Sequence, residues 1–221
     1  MTSAAIDTGK MLYPNVIFDL DGTLIDSSDS IVASFRTVFS EFGLCPVKPL
    51  TSDLFGPPLI EMLQLLTGTQ DEAVLRPLEK AFKVHYDSKG YKGTRVYPGI
   101  DKLLLGLKRS GIKIYIATNK RIYPTEKILN LLEWNNFFEG IYALDAFSPP
   151  AKSKSELLEK IIVRNRFKHE KIVYIGDRKE DKFSSESHGI PFIRANWGYD
   201  PVSVFDHKVA TSPADLQIML S

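Results

Sequence analysis

Two carboxylates, Asp19 and Asp21, stand one residue apart directly after the apolar run Val16-Ile17-Phe18, and Gly22 follows them. The run has the look of a strand buried on both faces. Gly22 permits a turn that a residue with a side chain would resist. In an open parallel sheet, ligands bind outside the carboxyl ends of the strands. Two acids held there are placed for nucleophilic or proton-moving work. Alone, the pair reads better as a helix cap and a turn acid, because aspartate is common in turns. Three further patterns give it weight. Ile116-Ala117-Thr118-Asn119 is a strand ending in a hydroxyl and an amide. Lys152 or Lys154 stands before a helical pattern carrying Leu157, Leu158, Ile161 and Ile162. Tyr174-Ile175-Gly176-Asp177 is another strand ending in an acid, with Asp181 four residues on.

The elements that must hold these groups follow from hydrophobic period. Runs that read as strands recur at Val16–Leu20, Ile112–Ala117, Ile141–Leu144, Ile172–Ile175 and Phe192–Ile193. Helical patterns separate most of them. Ile100, Leu103, Leu104 and Leu107 give i, i+3, i+4, i+7 spacing, and Gly111 closes that helix. Alternating strands and helices predict an α/β fold: a doubly wound, mostly parallel, Rossmann-like sheet with right-handed crossovers. The interval from Ser27 to Thr94 breaks the alternation and holds only helical patterns. Its first helix, capped by Ser27 or Ser28, carries the stripe Ile31, Phe35, Val38, Phe39 and Phe42. Helices near Leu59–Leu66 and Asp71–Lys89 follow. The expected organisation is a catalytic core from residues 1–26 and 95–221, with residues 27–94 inserted as a helical cap.

Together the four patterns resemble the haloacid dehalogenase superfamily, and within it the phosphoglycolate phosphatase-like branch. The likeness extends through Leu24-Ile25-Asp26-Ser27, Gly56-Pro57-Pro58, Tyr97-Pro98-Gly99-Ile100, Thr118-Asn119-Lys120 and Gly189-Ile190-Pro191. It covers the chain from about Asn15 onward. The resemblance implies a Mg²⁺-dependent phosphatase that hydrolyses a small phosphate monoester, phosphoglycolate or nucleotide-like, through an aspartyl-phosphate. Asp19 would be the nucleophile and Asp21 the acid and base. The Asp19 carboxylate, the Asp21 backbone carbonyl and the Asp177 carboxylate would hold the metal, with Asp181 a further acid beside it. Gly22, Thr118 and Asn119 would bind phosphate, and a lysine would supply positive charge. The superfamily often has Lys-Pro at that lysine, and neither Lys152 nor Lys154 precedes a proline. Lys154-Ser155-Glu156-Leu157-Leu158 fits the variant in which the lysine directly precedes an acidic-apolar helix start, so Lys154 is preferred and Lys152 stays the alternative. In the cap, Pro57 and Tyr91 are expected to face the site.

Neighbouring chemistries are separated by the same residues. Dehalogenases lack the second aspartate, and Asp21 is present. Sugar phosphomutases share the pair and are the least excluded enzymes. A non-catalytic phosphate-binding module on the same fold is the rival from another class, since fold does not fix function.

Composition narrows the setting. The chain has 221 residues, 43% of them hydrophobic, enough for one core plus an insert. A net charge of +1 argues against a nucleic-acid surface or a basic membrane stripe. No apolar run approaches the ~20 residues that span a bilayer, and the first ten residues lack a signal-peptide core. They read as a loose extension. The single cysteine, Cys45, excludes an internal disulfide and fits a cytoplasmic protein, with Cys45 itself a small apolar residue of the insert. The expected partner is a small phosphorylated metabolite, and the chain a monomer or homodimer. His85, His169, His188 and His207 lack metal spacing and read as structural or exposed. Arg178 and Lys179 read as solvated, and Trp197-Gly198-Tyr199 as a packed loop.

Overall fold

A computed structural model describes residues 12–200 and 208–220. The N-terminal extension and His207 lie outside the described residues. The chain runs β1 (Asn15–Phe18), β2 (Ile25–Asp26), α1 (Ser28–Glu41), α2 (Leu59–Thr67), α3 (Glu72–Ser88), β3 (Arg95–Val96) and α4 (Ile100–Arg109). It continues through β4 (Lys113–Thr118), α5 (Ile122–Leu131), β5 (Phe138–Ala143), α6 (Lys154–Asn165) and β6 (Ile172–Gly176). It closes with α7 (Lys179–Glu186), β7 (Phe192–Ala195), β8 (Val209–Ala210) and α8 (Pro213–Leu220).

Six strands form one sheet in the order β5-β4-β1-β6-β7-β8, and every pairing in it is parallel. β1 lies between β4 and β6. Val16 and Phe18 pack into one core with Leu103, Leu104 and Leu107 of α4 and with Leu216 of α8. Ile17 points the other way, into a second core with Leu157, Leu158 and Ile161 of α6. Alternate side chains of a strand face opposite sides, so a strand covered by helices on both faces reads as an unbroken apolar run. Asp19, Thr118 and Asp177 therefore end three neighbouring strands at the same edge.

β2 and β3 form a separate antiparallel ribbon, Ile25 opposite Val96 and Asp26 opposite Arg95. The chain leaves the sheet through one strand of the ribbon and returns through the other. Between them α1, α2 and α3 build their own core from Ile31, Phe35, Phe39, Leu63, Leu78 and Phe82. This is the helical cap. Phe42, expected in its stripe, is 43% exposed, because α1 ends at Glu41 and its last turn overhangs that core. Cys45 is exposed as well, which corrects its reading as a packed apolar residue. It follows Gly43, whose φ of +63° ends the helix.

Gly22 is fixed by more than turn geometry. Its φ is +82°, and a Cβ there would overlap the Asp177 carboxylate. Gly22→Ala combines left-handed strain with that overlap, so a loss of at least about 2 kcal/mol is expected in urea unfolding. A change under about 0.5 kcal/mol would show that the turn has no such constraint.

Candidate active site

Asp19 lies one residue beyond β1 and is 5% exposed. Its N–H donates to Ile175 O at 2.8 Å, which extends the ladder to β6 and fixes the backbone at that point. Lys154 is the first residue of α6, whose N-cap Ser153 accepts the Glu156 N–H. From there its ammonium, 2% exposed, donates to Asp19 Oδ1 at 2.7 Å and to Ala117 O at 3.2 Å. It also lies 3.1 Å from Asp181 Oδ1. Lys152 is exposed, and its backbone N–H donates to Glu156 Oε2. Of the two candidates, Lys154 alone reaches Asp19.

Asp19, Asp177 and Asp181 offer carboxylate oxygens within 4.8 Å of one another, and all three side chains are buried. Asp181 also caps α7, accepting the Arg178 N–H at Oδ2, so structural and site roles coexist in one carboxylate. Asp177 accepts from the Thr23 hydroxyl at 3.2 Å and from the Tyr199 N–H at 2.8 Å. Burial first, and the Asp181 charge second, push the Asp177 carboxyl up to about 7. Burial likewise raises Asp19 well above the ordinary carboxylate range, opposed by Lys154 and reinforced by Asp181 and Asp177. The Lys154 ammonium is destabilised by burial, yet the Asp181 and Asp19 charges outweigh this and hold it protonated.

Asp19 and Asp181 share the Lys154 ammonium, and Asp177 beside them is raised by the Asp181 charge despite the nearby Arg178. The hard oxygen donors of Asp19, Asp177 and Asp181 together fit a divalent cation. The charge balance has a measurable consequence. Between the ordinary value of 3.8 and about 7, the folded protein keeps a proton on Asp177 that the unfolded chain has lost. Stability of the metal-free protein should therefore fall as pH rises through that window and level off above it. A divalent cation must displace that proton at low pH but not at high pH. The rise in Tm on adding the metal should be larger at about pH 8 than at about pH 5.5. Equal rises at the two pH values would sever the link between Asp177 and the metal.

Asp21 faces away from this cluster, towards the cap. Its Oδ1 accepts from the Ser27 hydroxyl, and the Lys120 ammonium lies 3.3 Å away. Both donors fall on the same oxygen of the Asp21 carboxylate. Lys120 also donates to the cap's Tyr86 hydroxyl at 3.0 Å. Burial opposes its charge, while Asp21 and Tyr86 stabilise it enough to raise its pKa.

The remaining expected residues divide. Thr118 is buried at the end of β4, and its hydroxyl accepts the Lys120 N–H. Asn119 donates its side-chain amide to Gly56 O in the cap at 2.9 Å and to Glu180 at 3.2 Å. Its Oδ1 is buried without a partner among the described residues. The Gly22 N–H donates to Ile25 O, and its lack of a Cβ gives clearance to the Asp177 carboxylate. Pro57 borders a cavity beside Asp21. Tyr91 does not: it packs between the two cores, with the Lys127 ammonium 5.2 Å over its ring, and Tyr86 lines the cavity in its place. Arg178 is not simply solvated, since it reaches Phe55 O in the cap and Asp200. The loop at Trp197 closes on the site: Gly198 packs against Asp177, and Trp197 donates to Thr23 O. Ser27, Lys120, Tyr174 and Tyr199 escaped the sequence reading as site residues. Tyr174 carried a signal, being a hydroxyl in an otherwise apolar strand. The structure sets that hydroxyl 3.2 Å from both Lys154 and Asp181.

Residues 16–195 match the family model described as haloacid dehalogenase-like hydrolase. The chain belongs to that family. It is 31% identical over 199 residues to the tyrosine-protein kinase PtkA of Mycobacterium tuberculosis, covering 89% of this chain but 66% of that kinase. It is 29% identical over 234 residues to a phosphoglycolate phosphatase of Agrobacterium fabrum, covering 97% of each. The crystal structure of a predicted phosphatase from Clostridium acetobutylicum superposes with a TM-score of 0.83 at 26% identity, over 94% of this chain and 98% of that one. The parallel sheet with its inserted helical cap is thus the fold of this hydrolase family. Among the described residues no helix is long and apolar enough to cross a membrane.

Proposed function

We propose that the protein is a Mg²⁺-dependent phosphatase that hydrolyses a small phosphate monoester through an aspartyl-phosphate. The observation that carries this reading is Asp19 held 2.7 Å from Lys154 among buried acids, with Asp21 turned to the other side. Residues 27–94 act as the cap and residues 1–26 and 95–221 as the catalytic core. A cytoplasmic setting belongs to the same reading, as does action on a soluble metabolite by a monomer or homodimer.

The chemistry follows from the positions. A carboxylate oxygen of Asp19 attacks phosphorus in line with the ester oxygen. The new O–P bond forms as the ester P–O bond breaks, and Asp21 gives its proton to the departing alcohol. Asp21 then takes a proton from water as the water oxygen attacks phosphorus. The Asp19–phosphorus bond breaks and inorganic phosphate leaves. Lys154 steadies the equatorial phosphate oxygens, and Thr118 offers a hydroxyl beside them. Mg²⁺ held by Asp19, Asp177 and the Asp21 carbonyl, with Asp181 near it, would offset the charge of dianion and carboxylates.

Hydrolysis of a generic aryl phosphate, with and without Mg²⁺, tests the reading. Turnover that needs the metal is expected; silence across metals and pH would sink it and favour a binding module. Isomerisation of a sugar phosphate without phosphate release would favour a phosphomutase. The kinase relative motivates a further assay with labelled ATP, in which label on protein hydroxyls rather than free phosphate would mark a phosphotransferase.

A further inference from the structure

Tyr174 stands in the middle of β6 and is fully buried. Its ring stacks on Phe192, with centroids 6.4 Å apart and an interplanar angle of 22°, which fixes where the hydroxyl points. That hydroxyl lies 3.2 Å from the Lys154 ammonium, 3.1 Å from Ala117 O and 3.2 Å from Asp181 Oδ1. A buried tyrosine hydroxyl needs a partner, and one would satisfy it. Here all three partners belong to the surroundings of Lys154: the ammonium itself and two of the groups that the ammonium also touches.

An ammonium has three N–H groups. Lys154 meets four acceptors within 3.2 Å: Asp19 Oδ1, Asp181 Oδ1, Ala117 O and the Tyr174 hydroxyl. Every N–H is therefore claimed by the protein before a phosphate arrives. Under the reading proposed above, one of them must turn to a phosphate oxygen. The Asp19 contact, at 2.7 Å, is the shortest of the four. Of the others, Ala117 O and Asp181 Oδ1 are the two that the Tyr174 O–H also reaches. Its single proton can go to whichever of them Lys154 vacates. A buried acceptor that loses its donor is costly, and Tyr174 removes that cost.

We infer that Tyr174 is a positioning residue: it takes over a buried acceptor of Lys154, so that an N–H of the ammonium can turn to the phosphate. Tyr174→Phe keeps the ring and removes only the hydroxyl. Phosphate must then compete with Ala117 O and Asp181 Oδ1 for Lys154. The same contest holds for the bound ester and for the transition state, so binding suffers and turnover at saturation does not. With an aryl phosphate and Mg²⁺, the inhibition constant of inorganic phosphate is expected to rise about tenfold, while kcat stays within about threefold. The rise in Tm that inorganic phosphate gives the Mg²⁺-loaded protein should shrink in parallel, which reads binding without turnover. An unchanged inhibition constant and an unchanged Tm rise would overturn the inference and leave the phosphatase reading intact. A fall in kcat of about tenfold or more would also overturn it, because the hydroxyl would then be holding the reacting groups in place throughout turnover. Wild-type protein that neither hydrolyses the aryl phosphate nor gains Tm with inorganic phosphate would overturn the phosphatase reading and this inference with it.

Discussion

Asp19→Asn is expected to lower kcat by on the order of 10⁵-fold while leaving the metal-free protein at least as stable as the wild type. The amide has no anionic oxygen to attack phosphorus, so the covalent route closes. The stability half of the prediction comes from the charge count at the site. Asp19 and Asp181 share one buried ammonium, Lys154, and the Asp177 carboxylate lies beside them. Burial already pushes the Asp19 carboxyl up, and its neighbours' negative charge adds to that. Making residue 19 neutral removes one like charge and keeps the Lys154–Asp181 contact at 3.1 Å. A melt without metal should therefore show an unchanged or higher Tm. Acid quenching of the wild type with labelled substrate should trap an alkali-labile phosphoryl group on the protein, absent from the variant. Activity within tenfold of wild type would remove Asp19 as the nucleophile.

Lys154→Ala is expected to cost both function and fold. The side chain is 2% exposed and touches Asp19, Asp181, Ala117 O and the Tyr174 hydroxyl. Removing one partner of a buried ion pair costs about 3–5 kcal/mol, because the remaining charge stays buried. Here two carboxylates lose their common counter-charge, and a third lies beside them. The loss in kcat/KM should be about 10³-fold, since the phosphate dianion loses the same cation. Lys152→Ala provides the control. Its backbone N–H to Glu156 survives the substitution, and its exposed side chain makes no contact that the site uses. It should stay within about 0.5 kcal/mol and within a few-fold in rate. Parallel assays and melts of the two variants test the assignment, and the reverse order would transfer the role to Lys152.

The contrast between these lysines shows where reading a sequence stops. Both stand near the start of one helical pattern, and period alone does not tell which way each points. Ser153 as N-cap makes Lys154 the first residue of α6 and turns its side chain back to the strand ends. Tyr91 failed as a cavity residue for a related reason. Its place near the return from the cap was legible, but the structure packs it between the two cores and puts Tyr86 of α3 at the cavity.

The sequence by itself determined the layering of the chain and the kind of chemistry. Apolar runs at strand length, helical stripes between them and an insert without strands dictate a two-sided parallel sheet with a helical cap, because burial pattern is local in the chain. Acids directly after two of those runs must lie at one edge, because parallel strands end together. Only the tertiary structure decided which groups face each other across the mouth. Ser27 and Lys120 meet one oxygen of Asp21. Gly198 closes on Asp177. Asn119 and Arg178 hold the Gly56 loop of the cap to the core. These pairs are separated by up to 123 residues, as with Arg178 and Phe55. No local pattern encodes such a contact. It exists only once the cap is docked on the core.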